Sequence, residues 1–196
     1  MTCIVGVVHV GRAWVGGDSA GSGGNTTTIR ADAKIFANGP FLFGFTSSFR
    51  MGQLLRYALV PPPPPSDPAV LDRFMSTTFV DAVRAALKDG GYASKSSEQE
   101  SGGCFLVALG GRLWSVQSDY QVAAPADGYA SVGSGAEVAL GALHATVGRG
   151  PEERIGAALA AAAYHTSYVR APFVVLPAPG ETAPTPELRR ERIEEG

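Results

Sequence analysis

The 196-residue chain runs through one order of elements twice, a set of β-runs followed by a pair of helical patterns, and that order leaves few folds open. The first set opens with β-runs at Thr2–His9 and Ala13–Asp18, joined by the turn signal Val10-Gly11-Arg12 and predicted to form a hairpin. Gly21-Ser-Gly-Gly-Asn25 reads as a flexible loop, with short strands after it at Thr26–Ile29, Ala33–Ala37 and Phe41–Phe45. Ser47 can cap a helix running to Leu59, with Met51, Leu54, Leu55 and Ala58 at helical spacing, and the proline run Pro61–Pro65 stops it. Asp67-Pro68 opens a second helix to about Lys88.

The polar stretch Asp89–Gly103 is expected to be an exposed loop. A second β-set follows at Cys104–Leu109, Leu113–Gln117, Gln121–Ala124 and Tyr129–Val132, and a second helical pair at Gly135–Val147 and Pro151–Tyr168. Pro172 ends that pair and Phe173–Leu176 is the last strand. The expected fold is α+β: two antiparallel sheets stacked face to face with helices outside, a four-layer αββα sandwich. Residues 1–176 form that domain, and 177–196 form a Pro-rich and then charged C-terminal tail with too few apolar residues to carry a core.

Composition removes several functional classes. A net charge of −2 lacks the basic excess of a nucleic-acid binder. No apolar run approaches the ~18 residues of a membrane span, and Met1 is followed at once by a β-run with no basic leader. Cys3 and Cys104 sit in separate β-runs and make no disulfide framework, so a reducing cytoplasm is the expected compartment. His9, His144 and His165 have no metal-ligand spacing, and the chain has no phosphate-binding glycine motif. No metal or cofactor is expected.

Chemistry concentrates at the start of the chain. Removal of Met1 would give Thr2 both a hydroxyl nucleophile and an α-amine base on one residue, a known solution to acyl transfer. Hairpin geometry brings Asp18, at the end of the second run, close to Thr2 at the start of the first. Lys34, at the start of a later strand, could complete a Thr-Asp-Lys cluster. A buried ammonium there would favour the threonine alkoxide and lower the pKa of the amine, while Asp18 would hold the lysine charged and oriented. Cys3 would not become terminal after cleavage and is expected to be a small strand residue facing the inner layer.

The residues Thr2-Cys-Ile-Val-Gly-Val, Gly16-Gly17-Asp18, Lys34-Ile35-Phe36, Gly44-Phe45 and Tyr129-Ala-Ser-Val-Gly133-Ser134-Gly135 resemble, in order and spacing, proteasome β-subunits and the bacterial ring protease HslV. Both are N-terminal-nucleophile hydrolases. The resemblance runs from Thr2 to about Leu140 and more loosely through the following helix. It implies Thr2 as nucleophile, Asp18 and Lys34 as its activating pair and Ser134 as the hydroxyl near the free amine. The turn Phe45-Thr46-Ser47-Ser48 would supply the oxyanion N–H from Ser47, with Phe45 and Phe49 lining a subsite for an apolar side chain.

It implies further a threonine peptidase acting on peptides or unfolded proteins inside a closed homo-oligomeric ring, with an ATP-driven unfoldase as partner by analogy. The chain departs from the pattern at Ser47 and Ser48, where many relatives have Gly or Ala, and at Phe49 and Met51. No carboxylate lies between Arg154 and Glu181 to act with Ser134, so His165, Thr166 or Ser167 would have to substitute. These departures leave open a catalytically inactive ring or scaffold on the same fold. A small-amide amidohydrolase is the other alternative.

Overall fold

The computed structural model describes residues 2–23, 25–96 and 99–180; the charged part of the expected tail, 181–196, lies outside the described residues. The first sheet has strand order β12-β1-β2-β13, built from Tyr129–Gly133, Cys3–His9, Arg12–Gly17 and Val174–Pro177. The second has order β11-β10-β9-β6-β5, built from Val122–Ala123, Arg112–Val116, Phe105–Leu109, Phe41–Phe45 and Ile35–Asn38. Every pairing within them is antiparallel.

Period-2 alternation along the strands sorts side chains into three cores. On β1, Cys3, Val5 and Val7 pack against helices α4 (Ala136–Ala145) and α5 (Pro151–His165), in a cluster that includes Leu143, Ile155 and Leu159, so Cys3 faces the helices and not the inner layer expected for it. Ile4, one register on, turns into the space between the sheets with Val15, Leu42 and Leu106. On β6, Leu42 faces that same space, whereas Phe41, Phe43 and Phe45 face helices α1 (Phe49–Tyr57) and α3 (Val80–Asp89). The layers are therefore helix, sheet, sheet, helix, as expected. Gly44 lets the sheets close up: a Cβ there would lie 2.5 Å from Ile4 Cγ2 and 2.8 Å from Val15 Cγ1.

Several local expectations are corrected. Gly21-Ser-Gly-Gly-Asn25 is not simply a loop, because Ala20–Gly23 forms β3 and pairs with β4 (Thr26–Ile29) in a separate ribbon. The expected helix from Asp67 to Lys88 is a 3-10 turn at Pro68–Val70, α2 at Leu71–Phe74, a π-helical stretch at Met75–Phe79, and then α3. The π stretch brings Phe79 over the sheet, 5.0 Å from the Phe41 ring and 6.1 Å from the Phe43 ring. The stretch expected as an exposed loop holds a small hairpin, β7 (Ser94–Ser96) with β8 (Gln99–Ser101). The last strand extends to Pro177, and Ala178 is buried with its N–H donating to Ala13 O at 2.7 Å.

Phe79 is fully buried between sheet and helix, so Phe79→Ala is expected to cost about 3–5 kcal/mol in urea unfolding. A loss below ~1 kcal/mol would show that the π stretch does not anchor this layer.

Candidate functional site

Thr2 lies just before β1, Asp18 just after β2 and Lys34 just before β5. The β1–β2 register pairs Ile4 with Gly17, which sets Asp18 beside the head of β1. The Asp18 N–H donates to Cys3 O at 3.3 Å. The carboxylate is then fixed at both oxygens: Oδ1 accepts from Cys3 N at 3.0 Å and Oδ2 from Ala20 N at 3.0 Å. Lys34 crosses from the other sheet, its backbone held by Phe45 N donating to Lys34 O at 3.2 Å.

The lysine Nζ donates to Asp18 Oδ1 at 2.8 Å and to Thr2 Oγ1 at 2.8 Å. Thr2 is 6% exposed, Asp18 1% and Lys34 1%. Burial pushes the Lys34 ammonium below its ordinary pKa, and Asp18 opposes that by favouring the charged form. The three residues that the sequence brings together are thus in direct contact, with the hydroxyl oxygen under a buried cation.

Ser134 approaches from β12. Its Oγ accepts from Thr2 N at 3.2 Å and donates to Thr2 O at 3.4 Å. This approach needs glycine at 133, where φ is +103° and a Cβ would lie 2.2 Å from Thr2 O. Among the described residues, Thr2 supplies both partners of Ser134 Oγ. None of the candidate substitutes, His165, Thr166 and Ser167, bonds Ser134 among the described residues: Thr166 Oγ1 donates to Ala162 O at 2.8 Å at the end of α5, and the His165 ring sits edge-on to Tyr164 at 4.9 Å. Met1 lies outside the described residues.

The turn after β6 forms the other wall. Ser48, rather than Ser47, is the N-cap of α1, its side chain accepting from Arg50 N at 3.0 Å. Ser47 instead adopts a left-handed conformation with φ 63°. Its Oγ accepts from Cys104 N at 3.0 Å, and Thr46 N donates to Cys104 O at 3.1 Å. These bonds pin the turn to the start of β9 and offset a conformation that costs a non-glycine residue about 1 kcal/mol. The Ser48 N–H donates to Thr46 O at 2.7 Å, whereas that of Ser47 has no acceptor among the described residues. Thr2, Ser47, Phe45 and Phe49 line one pocket with Ser22, Thr46 and Ser48.

Sequence reasoning passed over Ser22, hidden in a glycine-rich stretch that reads as a loop, and Cys104, whose backbone does the pinning. It also passed over Arg30, stacked 3.9 Å from the Phe49 ring centroid and paired with Asp32 at 2.7 Å. Among the described residues no cluster of His, Cys, Asp or Glu could hold a metal, and no helix is long and apolar enough to cross a membrane. Burial raises the Cys3 thiol pKa from 9.0 to about 11.

No protein-family model matches the chain, and neither does any curated protein sequence. Solved structures do. Thiobacillus denitrificans BPH in complex with epoxomicin aligns with a TM-score of 0.72 at 21% identity, over 89% of this chain and 97% of that one. A second structure of Thiobacillus denitrificans BPH aligns at 0.70 and 20%, over 89% and 96%. Eukaryotic HslV from Trypanosoma brucei aligns at 0.63 and 16%, over 89% and 98%. The chain shares the fold of BPH and HslV.

The raised thiol pKa sets a test of this packing. At pH 8, iodoacetamide is expected to alkylate the half-buried Cys104 and to spare Cys3 until the chain is unfolded, as peptide mapping reads. Equal labelling of both in the folded protein would contradict the burial of Cys3 at the head of β1.

Proposed function

We propose that this chain, with the HslV/proteasome-like N-terminal-nucleophile fold, is a threonine peptidase that cleaves peptide bonds by acyl transfer once the Met1–Thr2 bond is broken. One observation carries the reading. Lys34 Nζ stands 2.8 Å from both Thr2 Oγ1 and Asp18 Oδ1, with all three residues buried.

In this reading Thr2 Oγ1 attacks the scissile carbonyl, and its proton passes to the freed Thr2 amine directly or through a water. Lys34 stabilises the developing alkoxide, and Asp18 keeps that lysine charged and aimed. The Ser47 N–H donates to the oxyanion of the tetrahedral intermediate. Collapse breaks the C–N bond, the leaving amine takes the proton back from the Thr2 ammonium, and water then hydrolyses the acyl ester. Ser134, in contact with Thr2 N, positions the amine.

Substrates are peptides or unfolded proteins with an apolar residue before the cleaved bond, received by Phe45 and Phe49. The chain works as a closed homo-oligomeric ring with the sites facing a chamber; such a ring needs a head-to-tail interface. It is cytoplasmic, the compartment that Cys3 and Cys104 without a disulfide framework suggest, and it takes substrates from an ATP-driven unfoldase by analogy with the ring proteases that its sequence resembles.

A proteolytically silent ring on the same fold is the second reading. It is favoured by the contacts of Ser134 Oγ, which among the described residues involve Thr2 and no carboxylate. Thr2→Ala discriminates. It removes Oγ1 and leaves the Lys34–Asp18 pair intact, so turnover of fluorogenic peptides is expected to fall at least ~10³-fold with the urea midpoint nearly unchanged. Equal, background-level rates for both proteins would favour the silent ring.

A further inference from the structure

Two aromatic rings separate the Thr2 pocket from a second cavity behind it. Phe45 and Phe49 line both, and the second cavity is bounded also by Asp32, Gly52, Gln53 and Arg56. The rings meet edge to face at 5.6 Å. Each is backed by close packing that leaves it little room to move. Phe45 lies on Gly52, where a Cβ would come within 2.3 Å of its Cε1. Phe49 is covered by the Arg30 guanidinium at 3.9 Å, and Asp32 holds that guanidinium through two bonds of 2.7 Å. Arg30 in turn lies on Gly21, where a Cβ would meet its Cδ at 2.6 Å and Phe49 Cε2 at 3.5 Å. The series Gly21, Arg30, Phe49, Phe45, Gly52 is a packed stack running from the β3–β4 ribbon to α1.

We propose that this stack is the specificity determinant of the site: it closes the pocket beside Thr2 so that small apolar residues, such as alanine, are accepted before the scissile bond and bulky ones are refused. The inference rests on the peptidase reading and narrows its substrate class. Phe49 is the partition and Arg30 a positioning residue that acts through it. Truncating Phe49 joins the two cavities, and removing the guanidinium uncovers one face of the ring and lets it turn aside.

The test is cleavage of a fluorogenic peptide series that differs only in Ala, Leu or Phe before the scissile amide. Wild type is expected to favour Ala by at least tenfold in kcat/KM. Phe49→Ala is expected to raise the Leu/Ala and Phe/Ala ratios at least tenfold, and Arg30→Ala at least threefold, through KM for the bulky substrates. Arg30 is 38% exposed by side chain, so its variant keeps the fold and the test stands if Phe49→Ala does not. Wild-type preference for Leu or Phe, or ratios unchanged in Arg30→Ala, would overturn the proposal while leaving a working peptidase. Absence of cleavage of any member by wild type would overturn the peptidase reading itself and this inference with it.

Discussion

A lysine ammonium held out of water between a carboxylate and a hydroxyl is the constraint on which this structure turns. Lys34 is 1% exposed and the Asp18 side chain is 0% exposed, so neither charge could stay buried alone. Removing one partner of such a pair typically costs ~3–5 kcal/mol, which makes the pair a weak source of stability and a strong source of geometry. Asp18 is fixed by backbone N–H groups from the β1 head and from β3, while Lys34 arrives from the opposite sheet. The charge contact therefore crosses the inter-sheet core, and the close approach at Gly44 is what brings its two halves within reach. The side-chain oxygen of Thr2 is the third member because it heads the strand that pairs with β2.

The parts of this arrangement that follow from local pattern were legible in the sequence. The repeated order of β-runs and helical pairs gives the four layers. The turn at Val10-Gly11 pairs the first two strands, and from that pairing the nearness of Asp18 to Thr2 follows. What escaped depends on contacts far along the chain. Either Ser47 or Ser48 could cap α1. The choice is made by Cys104, 57 residues away, whose N–H bonds Ser47 Oγ and holds Ser47 left-handed. Ala20–Gly23 has little β-propensity of its own and becomes a strand through pairing with Thr26–Ile29. The π stretch at Met75–Phe79 answers to the aromatic layer beneath it rather than to helix propensity.

The chain differs from its expected pattern in the surroundings of the site more than at its centre. Ser47 and Ser48 stand in the turn after β6 where many members of the family that the sequence resembles have Gly or Ala, yet the Ser47 N–H remains without an acceptor among the described residues and borders the Thr2 pocket. The aromatic rings on the far side of that pocket are braced by Arg30 and Asp32, so its shape is set by surface residues outside the Thr2-Asp18-Lys34 contact. One fold can keep a central side-chain contact constant in this way while a few neighbouring side chains reshape the pocket beside it.

The central claim is that Lys34 and Asp18 activate an N-terminal Thr2. Its most direct measurement is mass spectrometry of the assembled protein after exposure to a peptide epoxyketone. Activation of this kind requires Met1 to be absent and one inhibitor to be covalently attached at Thr2, with no adduct on Thr2→Ala. Retention of Met1 together with an unmodified Thr2 would contradict it.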